Sequence, residues 1–239
     1  TGGSTSVAES GTTDTFTVVL DAQPDDDVTL SISSADTGEA TVTNALIFTS
    51  ANWDTPQTVT VTGVDDDLID GTVTSTITVS VVDLASDDNF DAVNDETLSV
   101  TTTDDDVAGF TIAETGGSTS VAESGTTDTF TVVLDAQPDI DVTLSISSAD
   151  TGEATVTNAL IFTSANWDTA QTVTVTGVDD DLIDGTVTST ITVSVVDLAS
   201  DNNFDAVDDE TVSVTTTDDD VAGFTIAETG GSTSVSESG

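Results

Sequence analysis

The sequence predicts an all-β fold of tandem antiparallel β-sandwiches in an end-to-end array, and three observations support this prediction. Apolar residues alternate with Thr and Ser along most of the chain, and helical periodicity is missing. Turn residues interrupt the alternation roughly every 8–12 positions. The chain also repeats itself, because residues 1–114 return as residues 115–228 with only five changes. A repeat of this length is the size of one domain with its own core.

The repeat sets the predicted domain boundaries. The five changes are Asp26/Ile140, Pro56/Ala170, Asp88/Asn202, Asn94/Asp208 and Leu98/Val212. We predict a first sandwich at 1–106 that lacks its first strand, a second at 107–220, and the opening strand of a third at 221–239. We expect the chain to be a segment of a longer array. A second interpretation is that the C-terminal segment fills the gap of an identical chain by strand addition.

Each strand is predicted from its own alternation. In the first predicted strand, Phe16, Val18 and Leu20 share one face. The predicted strands of the first repeat are 15–20, 28–32, 42 with 46–48, 58–62, 73–81 and 98–100, and 110–112 opens the next repeat. Turn residues separate them, as in Ala22-Gln23-Pro24-Asp25, where Pro fixes φ before Asp.

The composition is strongly acidic. The chain has 46 Asp and Glu residues and no Lys, Arg or His, so its net charge is −46. Phosphate binding needs Lys and Arg, which excludes nucleic acid and anionic membrane as direct partners. Disorder is the simplest alternative for so acidic a chain, but the apolar residues form β patterns. The absence of cysteine excludes disulfides and thiolate metal sites.

The carboxylates cluster in two runs per repeat. One run is Asp65-Asp66-Asp67 with Asp70, the other is Asp104-Asp105-Asp106, and each follows an alternating strand. Strand ends of like direction gather at one pole of a sandwich. If the runs meet there, only a metal ion can neutralise them, and all-oxygen ligation favours Ca²⁺. The alternative is a pair of solvated acidic loops.

Three separated segments then resemble a known family. They are Val7-Ala8-Glu9-Ser10-Gly11, the stretch from Phe48-Thr49-Ser50-Ala51-Asn52-Trp53-Asp54 to Val64-Asp65-Asp66-Asp67, and Asp104-Asp105-Asp106-Val107-Ala108-Gly109-Phe110. In this order they resemble the Calx-beta-type tandem repeats of large bacterial surface proteins and adhesins. The resemblance covers the whole repeat. It implies an immunoglobulin-like sandwich of about seven strands that binds Ca²⁺ at one pole.

The resemblance also implies a ligand set. In the first repeat the ligands would be Glu9, Asp65, Asp66, Asp70, Asp104, Asp105 and Asp106. In the second they would be Glu123, Asp179, Asp180, Asp184, Asp218, Asp219 and Asp220. The chain departs from the family at Asp70, where Glu is usual, and Gly71-Thr72-Val73 follows in place of an acidic stretch.

Two further features are weaker candidates. Asp87-Asp88-Asn89-Phe90-Asp91 has the alternate acids of an oxygen-ligand loop, but it lacks the Gly and distant Glu of an EF-hand, so a solvated loop is favoured. The same holds for its copy, Asp201–Asp205. Trp53 and Trp167 are expected to cap the ends of the cores, with an aromatic ligand platform as the alternative.

We do not expect an enzyme. Asp36-Thr37-Gly38 and its copy Asp150-Thr151-Gly152 match the aspartic-protease triplet, but that chemistry needs two adjacent aspartates, so we predict turns. No His, Cys, Lys or Tyr is present to activate a serine nucleophile. A glycosidase carboxylate pair is not excluded by composition, but catalysis seldom needs near-identical sites in series.

These observations predict a structural protein: a segment of a long extracellular fibre or cell-surface adhesin stalk. Its predicted partners are calcium ions and neighbouring repeats of the same chain. The alternative is a surface module that binds carbohydrate or protein through the sandwich loops. An intracellular calcium sensor is disfavoured, because the repeats are near-identical and have no basic effector surface.

Overall fold

The protein, described here from a computed structural model covering residues 4–231 and 233–237, forms two compact β units. Unit 1 comprises Thr1–Gly109, Leu134–Asp141 and Thr163–Asp168. Unit 2 comprises Phe110–Val133, Val142–Phe162 and Thr169–Gly239. Within the described residues there is no α-helix, only five 3₁₀ turns, at Asp83–Ala85, Asp88–Phe90, Thr115–Gly117, Asp197–Ala199 and Asn202–Phe204. The prediction of an all-β fold is confirmed.

The strands follow the predicted alternation. Those of the first repeat are β1 (Thr5–Ala8), β2 (Thr13–Val18), β3 (Val28–Ser34), β4 (Ala40–Val42), β5 (Ala45–Phe48), β6 (Gln57–Gly63), β7 (Val73–Val81) and β8 (Glu96–Thr103). Those of the second are β9 (Phe110–Glu114), β10 (Thr119–Ala122), β11 (Thr127–Leu134), β12 (Val142–Ser148), β13 (Ala154–Val156), β14 (Ala159–Phe162), β15 (Gln171–Gly177), β16 (Val187–Val195) and β17 (Glu210–Thr217).

Each repeat is an immunoglobulin-like sandwich of two sheets. In the first, a five-stranded sheet of order β1-β8-β7-β3-β5 faces a three-stranded sheet of order β2-β6-β4. In the second, the order β10-β17-β16-β12-β14 is the same, but the other sheet has four strands, β13-β15-β11-β9. The difference is β9, which pairs with β11, whereas β2 is at an edge. The described strands therefore number eight and nine, rather than about seven.

One strand pairing departs from a purely antiparallel sandwich. β1 runs parallel to β8, with Thr5 opposite Val100 and Ala8 opposite Thr103, and β10 repeats this arrangement against β17. The sequence pattern does not indicate β1 clearly. This strand buries only the side chains of Thr5 and Val7, so its apolar alternation is very short. The other strand pairs of the two five-stranded sheets are antiparallel, and so are the pairs β2–β6, β4–β6, β11–β15 and β13–β15.

The core of unit 1 lies between its two sheets. Inward-facing residues come from alternate positions of the strands, as period-2 patterning requires. The buried members are Val7, Val28, Leu30, Ile32, Ala40, Leu46, Phe48, Val59, Val61, Ile77 and Val100. Thr and Ser occupy many alternate positions, so the sheets expose hydroxyl groups rather than cationic side chains.

None of the described helices is long and apolar enough to cross a lipid bilayer.

Candidate metal centre

Three strand ends and one strand start meet at one end of the first sandwich. β1 and β8 run parallel and stop together, so Glu9 and Asp104 follow them side by side. The Glu9 amide donates to the Thr103 carbonyl at 3.1 Å, which extends the pairing by one residue. We call this end, with its acids between residues 9 and 106, the acidic pole of unit 1.

The second sheet contributes Glu39 and the loop 64–72. β6 ends at Gly63 directly opposite Ala40, the first residue of β4. The Val64 amide donates to the Glu39 carbonyl at 2.9 Å, so Glu39 stands beside the start of the β6–β7 loop. The Thr102 hydroxyl donates to the same carbonyl at 3.5 Å, which joins the two sheets at this point.

Gly63 allows this close approach. A Cβ atom at position 63 would collide with the carbonyl oxygen of Ala8 at the end of β1. Gly177 stands in the same relation to Ala122 in unit 2. A glycine is therefore required where β6 passes β1, and the contact brings Glu9 close to the loop that follows β6.

Two groups of carboxylates converge on Glu9. Glu9, Asp66 and Asp106 each offer an oxygen, and these oxygens lie within 4.8 Å of one another. Glu9, Glu39 and Asp70 form a second such group. Oxygens bound to one Ca²⁺ at about 2.4 Å can be no more than about 4.8 Å apart, so both groups are compatible with shared ligation. Glu9 is the member common to both.

The Glu9 carboxylate is buried without a protein partner. Its side chain is 1% exposed, and neither oxygen has a hydrogen-bond donor among the described residues. Burial raises the pKa of Glu9 to about 7, and the neighbouring carboxylates, Asp104 foremost, add to the rise. An isolated buried carboxylate is costly, and no basic side chain exists in this chain to pair with it. A bound cation is the remaining way to keep it ionised.

The other members of the groups are perturbed in the same direction. Burial raises the pKa of Asp106 to about 6, with Asp104 as the largest charge contribution. Burial likewise raises the pKa of Glu39 and of Asp70, and the neighbouring carboxylates, Asp70 foremost for Glu39 and Asp66 for Asp70, add to the rise. The second oxygen of Glu39 is buried without a partner.

Unlike the Glu9 carboxylate, the Asp104 carboxylate is fully engaged in hydrogen bonds to the backbone. One of its oxygens accepts from the Gly71 amide at 2.7 Å, and the other accepts from the Asp106 amide at 2.7 Å. It therefore ties the β6–β7 loop to the segment after β8 and orients Asp106. Asp66 uses one oxygen in a local turn, accepting from the Leu68 amide at 2.8 Å.

Unit 2 repeats the arrangement. Glu123 is 1% exposed, and it lies in one group with Glu153 and Asp184 and in another with Asp218 and Asp220. Burial raises the pKa of Glu123, with Asp218 next in importance. The nearby backbone amide of Asp219 lowers the pKa of Glu123 somewhat. It does not form a hydrogen bond with either carboxylate oxygen of Glu123, and both oxygens are buried. Burial also raises the pKa of Glu153 and Asp220.

The structure brings together part of the predicted ligand set. The predicted residues that enter a group are Glu9, Asp66, Asp70, Asp106, Glu123, Asp184, Asp218 and Asp220. Those at the poles but in no group are Asp65, Asp104, Asp105, Asp179, Asp180 and Asp219. Of these, Asp65, Asp105, Asp179 and Asp219 are exposed, because neighbouring residues in an extended run point to opposite sides. Ligation by each residue remains a prediction.

Glu39 and Glu153 are missing from the predicted set. Each is a single glutamate after an Asp-Thr-Gly turn, and each is 7% exposed. The only sequence signal is their position, one residue before the buried Ala40 or Ala154 that begins a strand. The strand pairing that brings them to the pole is long-range, so clustering along the chain cannot reveal them.

The weaker candidates have structural roles. Asp87 is 5% exposed rather than solvated, and its carboxylate accepts from the amides of Asp25 at 2.6 Å, Asp26 at 3.1 Å and Asn89 at 2.9 Å. These bonds, the one from Asn89 foremost, lower the pKa of Asp87. The prediction of a solvated loop was therefore wrong for this residue, which clamps two loops together.

The protease-like triplets form turns. The Asp36 side chain accepts from the Gly38 amide at 3.1 Å, and Asp150 accepts from Gly152 at 3.1 Å. Both residues use their carboxylates locally. Trp53 and Trp167 are half-buried in turns, where their carbonyls accept from the amides of Leu20 and Leu134.

The donor set fits calcium. It consists only of carboxylate oxygens, several of them buried and unpartnered, and Ca²⁺ takes 6–8 oxygen ligands in flexible geometry. Softer metals prefer nitrogen or sulfur, and this chain has neither imidazole nor thiol. The acidic clusters at the two poles are thus candidate Ca²⁺ sites.

No protein-family model and no curated protein matches the sequence. Solved structures do match: domains 4 and 5 of the S-layer protein SbsC share 19% identity with a TM-score of 0.38, over 79% of this chain and 70% of that one. The calcium binding domain CBD12 of CALX1.1 shares 15% identity with a TM-score of 0.35, over 80% and 77%. The apo-form Calx CBD1 domain shares 15% identity with a TM-score of 0.34, over 46% and 98%.

Proposed function

We propose that this chain is a calcium-binding structural segment of a long extracellular fibre or adhesin stalk. One observation carries the proposal: each unit buries a glutamate, Glu9 or Glu123, whose carboxylate has no protein partner and faces further acids. A chain without a single basic side chain can neutralise these groups only with protons or cations.

The residues of each pole would hold calcium between separate parts of the chain. In unit 1, Glu9 follows β1, Asp66 and Asp70 lie in the β6–β7 loop, and Asp106 follows β8. A bound Ca²⁺ supplies positive charge and multiple oxygen bonds. Ligation would therefore fix the loop and the segment after β8 against the end of β1, and would remove the repulsion between their carboxylates.

The position of this site along the chain supports a role in stiffening. Only residues 107–109 separate Asp106 from β9, the first strand of the second repeat. A ligand residue held in place just before this connection reduces the freedom of the connection itself. Near-identical repeats favour a spacing role over specific recognition, because specificity needs differing surfaces. Calcium sites of extracellular modules have a Kd of about 10⁻⁴–10⁻³ M, which suits a few carboxylates on loops.

Thermal unfolding with EDTA and with added Ca²⁺ tests the calcium site. A site with a Kd of about 10⁻⁴ M gains about 1.4 kcal/mol at about 1 mM Ca²⁺, which corresponds to several degrees in Tm. The matched control is the double variant Glu9→Gln and Glu123→Gln, in which the shift should largely disappear. An equal shift in both proteins, or no shift in either, would refute the proposed site.

The stalk role needs its own measurement. Single-chain stretching of a tandem array should show higher unfolding force for each unit with Ca²⁺ than with chelator. Immunolabelling of intact source cells should place the protein outside the cell. A glycan array tests the alternative of a carbohydrate-binding module, and specific binding there with calcium-independent mechanics would favour that alternative.

A further inference from the structure

One dipeptide in each unit joins an aspartate of the acidic pole to a glycine. In this sequence Asp is followed by Gly only at Asp70-Gly71 and at its copy Asp184-Gly185. The two glycines have φ of +75° and +78°, and a Cβ at either position would meet nothing within 4 Å. Neither dipeptide belongs to a strand, and both aspartates are exposed. The backbone here is therefore free of side-chain packing and of sheet pairing.

A carboxylate of the same pole contacts the backbone nitrogen of each glycine. The Gly71 amide donates to Oδ2 of Asp104 at 2.7 Å, and the Gly185 amide donates to Oδ2 of Asp218 at 2.8 Å. A carboxylate at this distance can accept the amide proton, which makes the nitrogen a nucleophile. The electrophile within covalent reach is Cγ of the preceding aspartate, and attack on it closes a five-membered ring. Glycine has no side chain to hinder that closure.

We propose that Asp70-Gly71 and Asp184-Gly185 convert spontaneously to isoaspartate, with Asp104 and Asp218 as the proton acceptors, and that bound calcium suppresses the conversion. In unit 1 the Gly71 nitrogen loses its proton and forms a bond to Cγ of Asp70. One carboxylate oxygen of Asp70 leaves with the electron pair of its bond to Cγ, and as water it carries away that proton and one from solvent.

The succinimide formed in this way is then hydrolysed. Addition of water to the main-chain carbonyl carbon of residue 70 breaks its bond to the Gly71 nitrogen and gives isoaspartate. Addition of water to Cγ restores aspartate. One water molecule leaves and one returns, so the net change is an isomerisation that needs no oxidant or further reactant.

The effect of calcium rests on the function proposed above. Asp70 belongs to one carboxylate group with Glu9 and Glu39. A carboxylate that ligates a cation cannot give up an oxygen as water while it is bound, so ring closure is confined to calcium-free molecules. A site with a Kd of about 10⁻⁴ M leaves about a tenth of the molecules free at about 1 mM Ca²⁺, which should slow the conversion about tenfold.

The isomerisation would remove a candidate ligand from the pole. It inserts Cβ of residue 70 into the main chain and attaches the carboxylate directly to Cα, so the β6–β7 loop becomes one atom longer. The shortened side chain loses its reach toward Glu9 and Glu39. A chain kept without calcium should therefore lose calcium affinity progressively, whereas a chain kept in calcium should retain it.

Prolonged incubation of the full chain at physiological temperature, with EDTA or with Ca²⁺, tests the proposal. Cleavage after glutamate yields residues 40–96 and 154–210, which differ in mass because Pro56 in one corresponds to Ala170 in the other. Each dipeptide is thus measured separately, and electron-transfer fragmentation distinguishes isoaspartate from aspartate. In EDTA we expect isoaspartate at residues 70 and 184, and in about 1 mM Ca²⁺ about tenfold less.

Asp65 is the reference position within the same loop. It is exposed like Asp70, but an aspartate follows it instead of a glycine. Isoaspartate at residue 65 should stay at background in both conditions. Isoaspartate at residue 65 equal to that at residue 70, or none at residue 70 in EDTA, would overturn the proposal.

Thermal melts of the same samples separate this inference from the proposed function. A calcium-dependent Tm without isoaspartate in EDTA overturns the inference and leaves the calcium site intact. Equal isoaspartate in EDTA and in Ca²⁺, with a Tm that ignores calcium, overturns the calcium site and its protective effect together. Equal isoaspartate with a calcium-dependent Tm overturns the protective effect alone.

Asp70→Glu is the matched variant of the reacting residue. Glutamate keeps a carboxylate and its charge, but its attack by the Gly71 nitrogen requires a six-membered ring, which forms far more slowly. Total isoaspartate in EDTA, measured by enzymatic methylation, should fall by about half, because Asp184-Gly185 remains in the same molecule. An unchanged total would contradict the assignment of Asp70.

Asp104→Asn tests the proton acceptor. An asparagine oxygen can still accept a hydrogen bond from Gly71, but it is a much weaker base than a carboxylate. Isoaspartate at Asp70 should form several-fold more slowly, while Asp184, with Asp218 unchanged, supplies the reference rate in the same chain. Conversion at Asp70 that is equally fast or faster in a variant with a cooperative melt would overturn the role of Asp104.

Discussion

Glu9 and Asp104 directly follow the neighbouring parallel strands β1 and β8, but their carboxylates have opposite environments. Asp104 accepts two backbone hydrogen bonds at 2.7 Å, which satisfy one lone pair of each oxygen. Glu9 accepts none and is almost inaccessible to solvent. At the residue scale, the pole thus contains one carboxylate that organises the loops and one that is left for a ligand.

This distinction predicts the effect of Glu9→Gln. Glutamine keeps the size of the side chain but removes the buried charge, so in EDTA the variant should have a Tm a few degrees higher than the parent. With Ca²⁺ the order should reverse, because an amide is a poorer ligand than a carboxylate. Differential scanning calorimetry under both conditions checks the crossover.

The matched control for that prediction is Asp105→Asn. Asp105 is exposed and belongs to no carboxylate group, although it stands in the same acidic run. Its substitution should change Tm little in either condition. If Asp105→Asn reproduced the crossover, the effect would come from total charge at the pole rather than from the buried carboxylate.

The raised pKa values predict how pH acts on the calcium-free protein. Glu9 has a pKa of about 7 in the folded state against an ordinary 4.5, and Asp106 has about 6 against 3.8. The folded state therefore binds these protons more tightly than the unfolded state does. Their stabilising contribution is complete below the ordinary values and is lost as pH rises through about 6 to 7.

Urea unfolding in EDTA should accordingly show stability falling between about pH 5 and about pH 8. In Ca²⁺ the trend should flatten or reverse, because protons compete with the cation for the same oxygens. The variant Glu9→Gln with Glu123→Gln should lose much of the dependence in EDTA. Stability in EDTA that rises over this window would contradict the prediction.

At the element scale, sequence patterning predicts the long strands and fails where pairing is long-range. Alternating apolar residues predict which face of a long strand is buried, as Val59 and Val61 do in β6 and Ile77 and Val79 do in β7. The parallel strand β1 contains only one buried apolar residue, Val7, so its alternation is too short to be recognised in the sequence. Which strands lie side by side depends on contacts distant in sequence, which no local pattern encodes.

The same limit explains how much of the candidate site could be predicted. Acids clustered along the chain, such as Asp65–Asp67 and Asp104–Asp106, indicate the pole, but clustering cannot separate the inward Asp66 from the exposed Asp65. Glu39 is isolated in sequence and reaches the pole only through the pairing of β4 with β6. The location was therefore predictable, while membership of the groups required the fold.

The close passage of β6 by β1 gives a prediction for Gly63→Ala. The added Cβ would collide with the Ala8 carbonyl oxygen, which is backbone and cannot rotate away. We expect a destabilisation of at least about 2 kcal/mol and a loss of calcium affinity, because the strands that position Glu9 and the β6–β7 loop must separate. Urea unfolding and calcium titration calorimetry measure the two effects.

Gly38→Ala is the control for this substitution. A Cβ there meets only the Asp36 carboxylate oxygen, at 3.3 Å, and that side chain can adjust. Its effect on stability should be small, and calcium affinity should be retained. If Gly63→Ala behaved like Gly38→Ala, the close passage would not be required for the pole.

At the scale of the whole molecule, net charge and the buried groups respond to different ions. The charge of −46 is mostly on exposed side chains, whose mutual repulsion any salt can screen. Glu9 and Glu123 are shielded from bulk solvent, so diffuse screening reaches them poorly. The two contributions can be separated because one depends on ionic strength and the other on direct ligation.

This separation predicts how Na⁺, Mg²⁺ and Ca²⁺ rank as stabilisers. NaCl at about 1 M reduces the Debye length to about 3 Å and should raise Tm gradually, with no saturation at low concentration. Ca²⁺ should raise Tm further at about 1 mM, in a saturating manner, because it binds directly to the buried oxygens. Mg²⁺ should act more weakly, since it demands near-octahedral geometry and gives up its water reluctantly. Calorimetric melts at constant ionic strength test the ranking. If Mg²⁺ matched Ca²⁺, or if NaCl alone reproduced the calcium effect, stabilisation would come from screening of the surface rather than from ligation at the poles.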